Sequence, residues 1–512
     1  MRIEITGGDL TLKDFNKIVF ENAQVSLNKA AVTELDKCFH FLKSWSEKKL
    51  IYGINTGFGP MAQYRINNED RNQLQYNLIR SHASGCGAIL RPEFLKATLL
   101  ARLSSMMKAR SGIHRRTVEV LRDFINHNIL PQIFEHGGVG ASGDLVQLAH
   151  VALCLIGEGE VMYEGKLQST KKVLHKLGIE PLQVMIREGL ALMNGTSCMT
   201  GIGMINTIMA YRLTKWQIVM SAMVNEISEA YDDHISKELN QVKPHPGQQE
   251  VALSMRKILR GSKLMKKRQE HLYDKEVTET VLGDKVQEYY SSRCLPQIIG
   301  PVWDTIRYTE KVLTAEINSV NDNPVIDYRN EHIYHGGNFH GDYVSVEMDK
   351  LKIAITKLSV LAERQLNYLL NHNLNNKLSP FINMGKLGLN FGLQGMQYTA
   401  TSTVAENQSL CMPVYVHSIP NNNDNQDVVS MGSNAALICN RVVENSFDVL
   451  AVHLIAICQA IDYRGIQQRL SPITRSVYDT VRKHCPVFTN EPKARYDELA
   501  AVRRYIHDND LY

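Results

Sequence analysis

The 512-residue sequence has no paired-cysteine spacing, no strong charge of either sign and no apolar run long enough to span a bilayer. Each absence removes a class of function. Its nine cysteines (Cys38, Cys86, Cys154, Cys198, Cys294, Cys411, Cys439, Cys458 and Cys485) are scattered, odd in number and free of any CxxC pair. That is how a reduced protein reads, and it argues against a disulfide framework or a zinc module. Lys and Arg total 57 against 53 Asp and Glu, a net charge of +4, so no field suited to nucleic acid or an anionic membrane is implied. A small polar substrate is the better-founded partner. The start, "MRIEITGGDL", has no apolar signal segment, and the expectation is a soluble, cytoplasmic chain.

Proline is also missing from Thr200 to Ile235, where Met209, Leu213, Trp216, Met220, Met223 and Ile227 recur at alternating spacings of four and three. This predicts a long helix with one buried seam. A second such segment runs from Val344 to about Leu370, with Leu351, Ile355, Leu358, Ala362 and Leu369 on one face, and a third from about Ser433 to Asp462. Three long proline-poor helices predict one elongated bundle, with the methionines as core packing.

Between these helices lie polar loops rich in Gly and Asn: "YGINTGFGPMAQYRINNED" at 52–70, "NSVNDNPVIDYRNEHIYHGGNFHGD" at 318–342 and "HSIPNNNDNQDVVSMG" at 417–432. Loops of this kind, held by rigid helices, are where chemistry is expected. Two resemblances to known motifs fail on spacing. "GASGDL" has Asp144 where a serine-nucleophile elbow needs glycine, and "NNNDNQD" lacks the turn glycine and terminal glutamate of a calcium loop. His332, His335, His340 and Asp342 are metal-capable residue types at irregular spacing, and no metal is assigned to them.

The stretch "GGVGASGDLVQLAHVALCLIG" at 137–157 places six small residues before an apolar helix pattern marked by Leu145, Leu148, Ala152 and Leu155. For the Gly143 nitrogen to attack the Ala141 carbonyl carbon, the backbone must close a five-membered ring, which a bulky side chain would obstruct. Loss of water from the ring and from the Ser142 hydroxyl would leave a methylidene conjugated to carbonyls. The chain would then carry an electrophile of its own making, with no external cofactor. The helix N-terminus would lie beside it, and Asp144 in the first turn suits that position.

These residues resemble the signature of the aromatic amino acid ammonia-lyases, which use a self-formed methylidene-imidazolone (MIO) group. The family's other motifs follow in order: "YGINTGFG" from Tyr52, "NLIRSHASGCG" from Asn77, "LALMNGT" around Asn194, "VQEYYSSRCLPQIIGP" from Val286, "NSVNDNP" from Asn318, "GGNFHGD" from Gly336 and "AENQ" around Glu406. The resemblance implies a mainly all-α fold: an elongated bundle of long helices at 201–512, and a smaller N-terminal α-rich domain at 1–200 carrying the lid loop and the MIO-forming tripeptide. It implies removal of a β-proton and elimination of ammonia from an aromatic amino acid. MIO would form autocatalytically from Ala141, Ser142 and Gly143. By resemblance Tyr52 is the base, Arg293 grips the substrate carboxylate, Asn323 helps to position it, and Asn194 and Tyr290 line the MIO. Phe339 packs nearby, and Glu406 lies near the amino end of the substrate. It further implies a homotetramer with active sites shared between subunits.

Three departures bear on the substrate. Gln147 stands where histidine lyases usually have proline, "YYSSRC" replaces the usual "PYSLRC", and Asn425 to Val428 read "NQDV" where "QEDH" is usual. The polar pair Ser81 and His82, with Asn425 and Gln426, suits a substrate bearing a hydroxyl or an imidazole. The expectation is therefore L-tyrosine converted to trans-4-coumarate, with histidine to urocanate the alternative and a 2,3-aminomutase the third reading.

Overall fold

The computed structural model describes residues 1–511 except 48, 275, 277, 283 and 284. The chain is 58% helical, and among the described residues its strands are short. Arg2–Ile5 pairs in parallel with Gln24–Leu27, while Cys86–Ile89 pairs antiparallel with Phe134–His136. Leu130–Pro131, Glu160–Tyr163 and Lys166–Ser169 form an antiparallel trio, and Val325–Asp327 pairs with His332–Tyr334. These sheets brace loops, whereas most of the core belongs to the helices, and the mainly all-α class is what the chain adopts.

Long helices run over Ser197–Ser228, Leu295–Ile317, Asp342–Leu370 and Gly432–Arg464. The seam from Met209 to Ile227 is buried throughout, none of its six residues more than 3% exposed, as alternating spacings of four and three require. The first helix stops at Ser228 rather than Ile235, because Glu229 turns to φ +54° and the chain continues into a short 3-10 turn. Leu295–Ile317 has no counterpart among the sequence expectations. Pro301 lies inside it and gives the sequence a break signal, since proline offers no N–H to the preceding turn. Gly432–Arg464 is long and apolar enough to cross a membrane, but 83% of its most apolar window is buried within the protein.

Two compact units can be distinguished. The first comprises Met1–Ile208, Thr309–Asp349 and Pro413–Cys439, the second Met209–Tyr308, Lys350–Met412 and Asn440–Tyr512. The sequence reading places a single division between 200 and 201, whereas each unit is assembled from three separate segments. The reason is geometric: four of the five boundaries fall inside long helices, and only the one between Met412 and Pro413 lies outside a helix, so each of those four helices contributes residues to both cores.

Candidate active site

The first unit contains a cavity of about 390 Å³ lined by loop segments and by residues of two α-helices. On the Arg71–His82 helix, Leu74, Asn77, Leu78, Ser81 and His82 recur at helical spacing and supply one wall. The glycine loop brings Tyr52, Phe58, Gly59 and Met61, and Leu190 adds an apolar contact from the Glu188–Met193 helix. Ser142, Leu145, Asn194, Asn323 and Phe339 lie on another side, with Asn422, Asn425 and Gln426 from the asparagine-rich loop.

At the centre is the Ala141–Ser142–Gly143 turn. The Asn194 amide donates to the Ser142 carbonyl at 3.0 Å, and the Gln426 amide donates to the Ser142 hydroxyl at 3.0 Å. Asn194 is itself oriented by the Asn323 N–H, which donates to its side-chain oxygen at 2.7 Å. Gly143 sits at φ +74° against Gly195, and a Cβ at 143 would lie 2.0 Å from the Gly195 carbonyl oxygen. Only glycine fits this position, on both torsional and steric grounds. Ala141 is 4% exposed.

Asp144 departs from its expected place. It does not serve the helix that follows it; its carboxylate accepts from the N–H groups of Cys198 at 2.6 Å and Met199 at 3.2 Å, and from the Ser433 hydroxyl at 2.7 Å. It therefore caps the Ser197–Ser228 helix and ties the MIO-motif turn to it. Complete burial pushes its pKa up to about 6, although these hydrogen bonds and Arg102 oppose the rise.

Tyr52 is half-buried, its hydroxyl accepting from the Gly59 N–H at 3.1 Å and its ring edge-on to Phe58. His82 Nδ1 lies 3.0 Å from the Leu78 carbonyl oxygen. Nδ1 is also 3.0 Å from the Ser81 hydroxyl, which itself lies 3.1 Å from the same carbonyl; in the tautomer whose Nδ1–H donates to that carbonyl, Nε2 is the acceptor.

Nine expected site residues thus converge on one cavity: Tyr52, Ser81, His82, Ser142, Asn194, Asn323, Phe339, Asn425 and Gln426. Ala141 and Gly143 flank Ser142 in the turn. Tyr290, Arg293 and Glu406 belong to the second unit and are not among the cavity's lining residues. There the Arg293 guanidinium lies 4.8 Å from the Tyr290 ring centre, and Glu406 pairs with Arg441 at 3.0 Å. Gln147 does not line the cavity either; it is buried beside Gly138 and donates to the Glu135 carbonyl. Any influence it has on substrate is indirect. His340 lies 3.4 Å from Asp342, but among the described residues no three His, Cys, Asp or Glu side chains gather as metal ligands. The sequence reading missed the apolar lining of Phe58, Met61, Leu74, Leu78, Leu145 and Leu190, although the helical spacing from Leu74 to His82 was available to find part of it.

A helical scaffold holding a crowded Ala-Ser-Gly turn inside an amide-lined cavity defines a carbon–nitrogen lyase of the MIO-dependent type. The chain belongs to the aromatic amino acid lyase family, whose model matches residues 10–483. It is 37% identical to an MIO-dependent tyrosine 2,3-aminomutase of Streptomyces globisporus, over 94% of this chain and 91% of that one. It is 38% identical to a tyrosine ammonia-lyase of Cupriavidus metallidurans (90% and 87%) and 37% identical to a histidine ammonia-lyase of Shouchella clausii (95% and 94%). A solved tyrosine aminomutase from Streptomyces globisporus superposes with a TM-score of 0.95 at 35% identity, covering 99% of this chain and 97% of that one. The crowding at Gly143 and the Asn194 amide on the Ser142 carbonyl fit a ring closed at this turn, and the Gln426 amide lies on the hydroxyl that closure would expel.

Proposed function

We propose that this protein is a tyrosine ammonia-lyase, eliminating ammonia from L-tyrosine to give trans-4-coumarate. The observation that carries the choice of substrate is His82. With Nδ1–H on the Leu78 carbonyl, its Nε2 is the acceptor a phenol O–H requires, and Leu74 and Leu78 of the same helix supply apolar surface beside it, in a wall that also holds the polar Asn77 and Ser81. A benzene ring fits such a wall better than an imidazole with two polar nitrogens. The names of the Streptomyces and Cupriavidus relatives also point to tyrosine.

The MIO group, formed from Ala141, Ser142 and Gly143, supplies the electrophile that makes the amino group able to leave. The chain's own residues do the rest. Tyr52 takes the β-proton on its hydroxyl oxygen, the atom that the Gly59 N–H already holds in place. Asn194 holds the turn through the Ser142 carbonyl, Gln426 donates to the Ser142 hydroxyl that leaves as the ring forms, and Phe58, Met61 and Leu190 exclude water. Among the described residues that line the cavity there is no Arg or Lys to meet the substrate carboxylate. Arg293 fills that role, and Tyr290 and Glu406 complete the site, when they come from neighbouring copies in a homotetramer.

Incubation with L-tyrosine, L-phenylalanine and L-histidine, followed by ultraviolet detection of product, tests the substrate. Turnover of histidine alone would end the tyrosine reading. A second reading, a tyrosine 2,3-aminomutase, is favoured by the names of relatives of equal similarity. Free ammonia in step with 4-coumarate supports the lyase, and accumulation of the β-amino acid supports the mutase.

A further inference from the structure

Against the Asn194–Gly195 peptide, which itself packs on Gly143, lies a guanidinium that none of the chemistry above uses. Arg102, on the Pro92–Met106 helix, is completely buried. One terminal nitrogen donates to the Asn194 carbonyl at 2.9 Å; the other faces Ser105 Oγ at 3.1 Å and Asn321 Oδ1 at 3.2 Å. Its Nε–H has no partner. The nitrogen on Asn194 occupies the space a side chain at 195 would take, since a Cβ there would lie 2.4 Å from it. Gly195, at φ +145°, then turns its carbonyl outward to accept from the Asp144 N–H at 2.7 Å, with Gly143 pressed against its peptide.

Resting on the reading of this turn as MIO-forming, we propose that Arg102 is a positioning residue for the cyclisation of Ala141, Ser142 and Gly143, acting through Asn194 and Gly195 and touching neither substrate nor product. In the cyclisation the Gly143 nitrogen bonds to the Ala141 carbonyl carbon and passes its proton to that oxygen. The resulting hydroxyl leaves as water with the Ser142 N–H proton, forming a C=N bond. The Ser142 Cα–H and Cβ–OH then leave as the second water, forming the methylidene. Ring closure needs the Gly143 nitrogen held against the Ala141 carbonyl, and the Asn194–Gly195 brace is the surface that holds Gly143. Arg102 fixes that brace from behind. Stability alone is a poor reason for such a residue, because a buried guanidinium with an unpartnered N–H gains little over an apolar side chain of similar volume.

The test compares wild type, Arg102→Lys, Arg102→Gln and Ser105→Ala by intact mass and by near-ultraviolet absorbance of the ring, on protein shown to be folded by circular dichroism and thermal melting. Wild type and Ser105→Ala are expected to lack the mass of two water molecules. Arg102→Lys, which keeps the charge and loses the fork, is expected to contain uncyclised chain and to mature roughly tenfold more slowly, the rate equivalent of one charge-assisted hydrogen bond. Arg102→Gln is expected to be slower still; if it fails to fold, Arg102→Lys decides. Folded Arg102 variants maturing at the wild-type rate would overturn the proposal, as would Ser105→Ala slowed equally. A wild-type chain of full mass would instead overturn the reading of the turn itself, and the proposal with it.

Discussion

Tyr52 and His82 do different work in the same cavity, and their substitutions should separate cleanly. On the proposed function Tyr52 carries the proton transfer, so Tyr52→Phe, which keeps the ring and its edge-on contact with Phe58, is expected to lower kcat roughly 100- to 10,000-fold with little change in KM. On the same proposal His82 recognises the phenol, so His82→Leu is expected to weaken tyrosine relative to phenylalanine by about 1–3 kcal/mol in kcat/KM, the cost of an unpaired buried hydroxyl. Steady-state kinetics on both amino acids measures each. A third residue acts through protonation. Burial pushes Asp144 up to about 6 from an ordinary 3.8, so the folded state binds its proton more readily than the unfolded one. The stability this contributes is full below about pH 4 and is lost as pH rises through 6. Above that, the charged carboxylate depends on its donors, among them the Ser433 hydroxyl. Ser433→Ala should therefore cost about 1.5–3 kcal/mol at pH 7.5 and markedly less at pH 4.5, by urea unfolding at the two pH values.

The elements show what was legible in the sequence and what was not. Periodic apolar residues placed three long helices to within a few residues at nearly every end, because a seam every three or four residues has no other economical burial. The fourth, Leu295–Ile317, was hidden by Pro301, whose break signal its packing overrides. The site's polar residues could be recognised because they lie in motifs. Its apolar wall is only partly legible: the spacing from Leu74 to His82 marks one helix face, but Leu74 and Leu78 look like ordinary core on that face. Asp144 was assigned to the wrong helix for a similar reason: its partner, the Ser197–Ser228 N-terminus, is more than fifty residues away and visible only in three dimensions. The asparagine-rich loop gave no hint of its conformation either. Asn422, Asn423 and Asp424 all adopt φ between 53° and 57°, a left-handed turn that short polar side chains tolerate and branched ones resist. It leads directly into Asn425 and Gln426, which reach the cavity. Asn423→Val is expected to lower stability by about 1–2 kcal/mol, and Asn423→Gly to leave it near wild type, as read by thermal melting.

For the whole molecule, the decisive feature is what one chain's cavity omits. It presents a tyrosine hydroxyl, amides and apolar side chains, yet its described lining has no Arg or Lys to meet a carboxylate, while Arg293 lies in the second unit beside a Tyr290 that is 70% exposed. The second unit also exposes Leu387, Leu389, Phe391, Tyr398 and Met412, apolar surface that association would bury. If a working site takes Tyr52 from one chain and Arg293 from another, two inactive variants should repair each other. Tyr52→Phe alone leaves every site without its base, and Arg293→Ala alone leaves every site without its carboxylate clamp. Co-expressed and purified as mixed oligomers through two different affinity tags, they should regain activity in roughly a quarter of sites, as random association of equal numbers of the two chains requires. In those sites the Arg293→Ala chain supplies Tyr52 and the Tyr52→Phe chain supplies Arg293. Mixing the separately purified variants without subunit exchange is the control and should stay inactive. Mixed oligomers that form and remain inactive would show that each site draws both residues from one chain, and the shared-site assembly would then have to be abandoned.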